Sequence, residues 1–390
     1  MTLRFLTAGE SHGPALTAII DGLPAGLELD MNAVNADLAR RQTGSGAGPR
    51  MKMERDTAVV LGGLMAGRTT GAPLSLMIEN RDHDHWKGKE VDLFVIPRPG
   101  HADLTGAAKY GYTDMRPSLE RASARETAAR VAVGGVCRQL LAQFGIRVGG
   151  YVVSLGEITS DLAGIPLEER ISRARESDTG CPEPETADAM KKLIREITLK
   201  KDTLGGVIEA AAIGLPAGLG SFTQWDRRLE SRIGAAILSI QAIKGVEFGS
   251  AFDNTRHPGT QVHDSIQVEG NKLTRPTNRC GGVEGGVSNG EALIVRAAMK
   301  PIATTLNPQR SVNLADGQPV ETKYERSDFC PVPRAVVVVE SMLAFVLAGA
   351  LMEKLGGDSI NEMRPRFDAL TKMRLDDFHM DNTPHIWWPA

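Results

Sequence analysis

Glu120-Arg121-Ala122-Ser123-Ala124-Arg125-Glu126-Thr127-Ala128-Ala129-Arg130-Val131-Ala132 is the stretch from which the rest of the chain can be laid out. Ser123, with Glu126 three residues on, has the capping-box spacing, in which the serine oxygen and the glutamate carboxylate each satisfy an orphaned backbone N–H. A helix is therefore expected from about Ala124, through Leu140 and Leu141, to Phe144, with Gly145 as its stop. The start of a helix attracts anions through its free N–H groups and the positive end of its dipole. Arg121 and Arg125 add two planar donor forks there, suited to phosphate or carboxylate. An ordinary cap with surface arginines accounts for the same residues, since arginines commonly face water.

Two other segments echo this helix. Arg227 to Lys244 is again Ala-rich and again ends at a glycine, Gly245, before a strand-like Val246-Glu247-Phe248. Ala335 to Met352 is apolar apart from Glu340 and Ser341. A membrane span is rejected for it, because the β-branched block Val336 to Val339 suits a buried strand and Ser341 to Leu355 suits a helix stopping before Gly356-Gly357. The echo suggests one domain over residues 1–390 built from a duplicated helix-and-sheet unit, with pseudo-halves of roughly 1–205 and 206–390, although no fixed-period repeat is visible.

At 390 residues and 42% hydrophobic content the chain can bury a sizeable core. A net charge of −3 offers no global attraction to nucleic acid or an anionic membrane, so anion recognition must come from local clusters, which favours a small anionic ligand. Cys137, Cys181, Cys280 and Cys330 are scattered, with no C-x-x-C pair, and the N-terminus lacks a secretory pattern; reduced thiols in a cytoplasmic protein are expected.

Candidate chemistry is spread along the chain. A strand at Leu3 to Thr7 delivers Ala8-Gly9-Glu10-Ser11-His12-Gly13-Pro14, where a glycine-bracketed turn can present His12 for proton transfer; a histidine with no function fits as well. Ser11 lacks the context of a hydrolase nucleophile. Asp30 can cap a helix over Met31 to Arg41, and the glycine-rich loop that follows, flanked by Arg41 and Arg50, is either an anion cradle or a surface loop; no Gly-Lys-Ser/Thr makes it a P-loop. Strands are expected at Asp56 to Leu61 and Ala72 to Ile78. Asn80 to Trp86 gathers two histidines and two aspartates, which reads as a solvated loop rather than a metal site. Two prolines and Gly100 fix the chain around His101, a second candidate for proton transfer. A strand at Gly150 to Leu155, a helix at Thr186 to Lys200 and a strand at Val207 to Ile213 follow. Gly281 to Gly290 leads into a strand at Ala292 to Ala298 and then Lys300-Pro301-Ile302-Ala303-Thr304, which together suit a phosphate-bearing cofactor or, equally, a wide turn. Arg326-Ser327-Asp328 sets a cation beside a carboxylate, and Trp387-Trp388 reads as a packed tail.

Five of these motifs, Ala8 to Gly13, Arg98 to Asp103, Arg121 to Ala132, Gly281 to Gly290 and Arg326 to Asp328, resemble in order and over nearly the whole chain those of the chorismate synthase family. The resemblance implies an α+β fold, a β-α-β sandwich with long central helices between two antiparallel sheets, assembled as a homotetramer. It implies a lyase of the shikimate pathway that converts 5-enolpyruvylshikimate 3-phosphate to chorismate and phosphate by 1,4-anti elimination. The implied cofactor is reduced FMN, supplied by an external flavin reductase, in a reaction with no net redox change; no metal, nucleic acid or membrane is implied.

Carried onto matching positions, the resemblance makes His12, His101 and Asp328 catalytic and assigns substrate anions to Arg41, Arg50 and Arg125. It assigns flavin contacts to Arg121, Ala122, Ser123, Gln241, Ala242, Gly285, Lys300, Pro301, Ile302, Ala303, Thr304 and Arg326. One departure stands out: Ala47 occupies a position where the family commonly has an arginine. Loss of one charge-assisted hydrogen bond would weaken substrate binding by roughly ten- to a hundred-fold unless Arg55 or Lys52 substitutes. A homologue that kept the fold with weakened or altered activity is the alternative this departure raises.

Overall fold

The structure is a computed structural model describing residues 2–46, 55–325, 327–381 and 383–388. Among these, two antiparallel sheets carry the architecture. The first pairs β1 (Arg4–Ala8), β2 (Ala15–Asp21), β3 (Ala58–Gly62) and β4 (Leu74–Glu79) in the order β1-β2-β4-β3. Its strands alternate, as a half-buried sheet requires. Leu16, Ala18, Ile20, Leu74, Leu76 and Ile78 point into the core, while the cross-strand pair Leu6 and Ile19 faces outward.

The second sheet comprises β5 (Arg147–Leu155), β6 (Ile158–Thr159), β7 (Gly206–Ile213), β8 (Ile243–Phe248) and β9 (Leu293–Met299), in the order β8-β9-β7-β5-β6. Here β5 and β7 are buried almost continuously, because both faces are covered. The helix Leu167–Glu176 lies over β5 on one side, and central helices lie on the other.

Those central helices are α1 (Met31–Gln42), α4 (Thr127–Ala142), α7 (Leu229–Leu238) and α8 (Val332–Leu355); α2 (Asp103–Tyr110), α3 (Arg116–Ala122), α5 (the Leu167–Glu176 helix just described) and α6 (Pro184–Leu199) complete the longer helices used below. α4 packs on β2 and β4 of the first sheet, α8 on β5 and β7 of the second, and the two helices pack on each other. The arrangement is the α+β sandwich that the resemblance implies.

Asp30 caps α1 as expected, its side chain accepting from Asn32 N at 2.8 Å. The valine block is a correction. Val336 to Val339 are helical, within α8, and none is more than 4% exposed. A helix apolar on every side belongs in the interior, where burial outweighs the modest helix penalty of β-branched residues. Pro333 sits in its first turn, where a missing N–H costs nothing. The expected helix at Arg227 to Lys244 is shorter: α7 ends at Leu238 and the chain enters β8 at Ile243. Glu340, in mid-α8 and fully buried, takes Arg40 of α1 through both oxygens (2.8 and 2.9 Å) and Arg138 of α4 (2.9 Å), so one carboxylate ties three central helices.

Candidate active site

The opening helix start departs from its expected form. Ala124–Glu126 is a 3-10 turn leading into α4, and Ser123 Oγ accepts from Arg125 N at 3.3 Å rather than closing a capping box. The Glu126 carboxylate turns away to Thr7 Oγ1 (2.8 Å), Arg130 Nε (2.8 Å) and Gln241 Nε2 (3.2 Å), because buried polar partners there compete for it. The turn's Ala124 carbonyl and Thr127 hydroxyl instead accept Arg41 Nη2 and Nε, both at 2.8 Å.

This turn forms one wall of a cavity of about 720 Å³, within the size range of small-molecule sites. Among the expected site residues, His12, His101, Asp328, Arg41, Arg125, Ala122, Ser123, Gln241, Ala242, Lys300, Ile302, Ala303 and Thr304 all line it. Three others do not. Arg121 is turned onto the Thr7 carbonyl (3.0 Å), the Thr7 hydroxyl (2.8 Å) and the Gly9 carbonyl (3.3 Å). Gly285 is exposed at the tip of the hairpin formed by Val283–Glu284 and Val287–Ser288, and Pro301 is exposed beside the cavity. Arg50 and Arg326, and with them Ala47, lie outside the described residues.

His12 reaches the cavity from the turn after β1, where Gly9 has φ +108° and a Cβ would sit 2.3 Å from the Ala15 carbonyl, so only glycine fits. Glu120, at the end of α3, grips His12 twice: Oε1 lies 2.7 Å from Nδ1 and Oε2 accepts the backbone N–H at 2.8 Å. Burial opposes ionisation of Glu120, but the hydrogen bonds and charge of His12, with Arg116 nearby, together hold its carboxyl below the usual range. The Trp86 ring packs on the imidazole at 4.4 Å between centroids.

His101 is held in the same manner. Its Nδ1 lies 2.6 Å from Asp103 Oδ1, and Asp103, fully buried at the start of α2, also accepts Arg98 N, Nε and Nη2 at 2.8–3.0 Å. Against burial, hydrogen bonds from His101 and Arg98 carry the Asp103 carboxyl well below the usual range. An ionised carboxylate only accepts, so each is placed to take a hydrogen bond from an Nδ1–H of its histidine, while Arg98 Nη2 also lies 3.0 Å from His101 Nδ1.

Two buried guanidiniums stand opposite. Arg125 Nη1 meets both Asp56 oxygens (2.6 and 2.7 Å) and its Nε donates to Asn80 Oδ1 (2.8 Å); Arg41 Nη1 lies 3.4 Å from Asp56 Oδ2. Burial, opposed by Asp56 but aided by Arg125 and Arg334, brings Arg41 down to about 10, so it stays charged near neutrality. Arg334, on the first turn of α8, pairs with Asp328, and its buried Nε has no hydrogen-bond partner among the described residues. Gln241 Oε1 is a second buried atom of that kind. Ala242 has φ +66°, a left-handed conformation costing an L-residue roughly 1–2 kcal/mol; its carbonyl receives Lys300 N, and Lys300 Nζ donates to the Gly100 carbonyl at 3.0 Å.

Sequence reading missed Glu120, Asp56, Arg334 and Trp86. Only Glu120, inside the opening stretch, and Trp86, inside the His/Asp run, lay near a motif; Asp56 reads as the start of a strand and Arg334 immediately precedes the apolar run. No group of three or more His, Cys, Asp or Glu suited to a metal occurs among the described residues.

A family profile described as chorismate synthase matches residues 3–352. Chorismate synthase of Trichlorobacter lovleyi is 50% identical over 383 residues, covering 94% of this chain and 98% of that protein. The enzyme of Aquifex aeolicus is 50% identical over 384 residues, covering 94% and 96%. A solved structure described as a crystal structure of chorismate synthase superposes with a TM-score of 0.78 at 44% identity, covering 94% of this chain and 97% of the other.

Proposed function

Since the chain belongs to the chorismate synthase family, and is thereby a lyase that removes phosphate, we propose that its cavity converts 5-enolpyruvylshikimate 3-phosphate to chorismate with reduced FMN as cofactor. The observation that carries this reading is one cavity in which two histidines, each held at Nδ1 by a carboxylate, meet buried arginines and a lysine.

The residues present suit a reduced flavin. Ile240, Met299 and Ile302 supply an apolar wall, Lys300 a cation, and Gln241 Oε1 a buried acceptor with no donor among the described residues. When bound, the flavin brings an electron-rich ring to a reaction with no net redox change. The chain's own groups do the rest. Arg41 and Arg125 hold the anionic groups of the substrate, and Lys300 offsets negative charge in a site sheltered from water. His12 and His101 exchange protons through Nε2 with the flavin and the departing phosphate. Asp328, steadied by Arg334, is the carboxylate on hand for the proton that leaves the substrate as the C–O bond breaks.

Anaerobic incubation with chemically reduced FMN and the phosphorylated substrate tests the reading: phosphate release is expected, and none would sink it. His12→Ala or His101→Ala should lower turnover by on the order of 10² or more while flavin affinity changes little. We further propose a homotetramer, measurable by light scattering, fed by a separate flavin reductase, so that NADPH with oxidised FMN alone gives no turnover.

A further inference from the structure

Glu120 does not line the cavity, yet it is the group most closely fitted to His12. Its two carboxylate oxygens take two different donors of the same residue, the ring Nδ1 at 2.7 Å and the backbone N–H at 2.8 Å. Its own carbonyl accepts Ser11 N at 3.3 Å. Residues 11–12 and the end of α3 are thus stitched together by three contacts, so the carboxylate cannot drift without the turn. Trp86 covers the imidazole face at an interplanar angle of 40°, and His83 Nδ1 lies 2.9 Å from the His12 carbonyl, which together limit rotation of ring and backbone.

We propose that Glu120 is the positioning residue of His12: its carboxylate keeps the proton on Nδ1, so that His12 exchanges protons with the ligand cavity through Nε2 alone. This rests on the reading above, in which His12 moves a proton in that cavity. Moving the proton to Nε2 would set a bare Nδ1 lone pair against an acceptor-only carboxylate, which is repulsive, and flipping the ring would lose the hydrogen bond altogether. Among the described residues, the other charged groups near the ring are Asp82, whose Oδ2 lies 4.0 Å from Nε2, and Arg116 beyond Glu120. Asp82 is too distant for a direct hydrogen bond, so among the described residues Glu120 is the carboxylate bonded to the ring. The proton lost from Nε2 is recovered from solvent, and Nδ1–H persists through both protonation states.

The test uses the full chain as Glu120→Ala and Glu120→Gln. With reduced FMN, Glu120→Ala should lower kcat about ten- to a hundred-fold with the substrate KM within about twofold, and Glu120→Gln, which keeps one acceptor oxygen, should recover part of that loss. Independently of turnover, the ¹⁵N signals of His12, assigned by their loss in a His12 variant, should show Nδ1 protonated and Nε2 bare above the titration of the ring, and mixed tautomers in Glu120→Ala. Wild-type His12 protonated at Nε2, or an unchanged kcat in Glu120→Ala, overturns the proposal. So does a fall in kcat matched by an equal rise in KM in both variants, which would mark a merely structural role. If the wild type releases no phosphate, the reading of the cavity fails, while the ¹⁵N signals still decide the role of Glu120.

Discussion

Asp56 sets the charge that the cavity wall offers an anion. Arg41 and Arg125 read from sequence as two cations for substrate, but they share this one buried carboxylate, so the pair brings one net positive charge rather than two. Burying two guanidiniums without it would cost several kcal/mol. The histidines illustrate the same residue-level logic, since each is made useful by a carboxylate that has no reactive signature of its own. Asp103→Asn removes the charge that orients His101 and leaves Arg98 without its ion pair. Turnover should fall at least tenfold, with a smaller change in flavin affinity. Unchanged turnover in a steady-state assay would show that His101 needs no such partner.

Among the elements, the crossing of α4 and α8 is the tightest. A Cβ added at Gly134 would lie 2.1 Å from the Ser341 Cβ and 2.4 Å from its Cα, so the helices touch backbone to backbone there. Ala128, Ala129 and Ala132, on other sides of α4, are buried as well. Gly134→Ala should therefore destabilise the fold by about 1–3 kcal/mol through overpacking, despite the better helix propensity of alanine. Chemical denaturation measures this directly, and a more stable variant would refute the contact. The same two helices separate what sequence conveys from what it does not. α4 announced itself through its alanines and its terminal glycine. α8 was half hidden, because four consecutive valines satisfy a strand or an all-round buried helix equally well and only the neighbours β5, β7 and α4 decide between them.

Taken whole, the molecule depends on buried carboxylates that hold its helices and its histidines in place. Asp103, Glu120 and Glu340 each have a carboxyl held below its ordinary value, in every case against the opposing effect of burial. The native state thus binds fewer protons than the unfolded chain as pH falls. Their stabilisation is complete above the unfolded carboxyl value of about 4 and is lost as pH drops through the lower folded values. Thermal unfolding at a series of pH values should show a flat region near neutrality and a steep decline below about pH 4. Glu340→Ala should lower stability at pH 7 by about 3–5 kcal/mol, because Arg40 and Arg138 are left buried without it, and should flatten part of the acid decline. An acid profile identical to wild type would remove Glu340 from this account.

By itself the sequence determined the strands β1, β3, β4, β5, β7 and β9, the cap and start of α1, the glycine stops after α4 and α8, and the motifs at His12, His101, Lys300 and Asp328 that meet in one cavity. Those signals are local: periodicity, turn chemistry and residue type depend on neighbours a few positions away. Only the tertiary structure decided that Val336 to Val339 are helical, that Arg121 turns from the cavity to the Thr7 and Gly9 carbonyls, and that Asp56 neutralises part of the arginine pair. It alone joined Glu120 to His12, 108 residues apart, and Glu340 to Arg40, 300 residues apart. Such partners are chosen by burial, where a charge must find its complement wherever the chain brings one, and no local pattern records that choice.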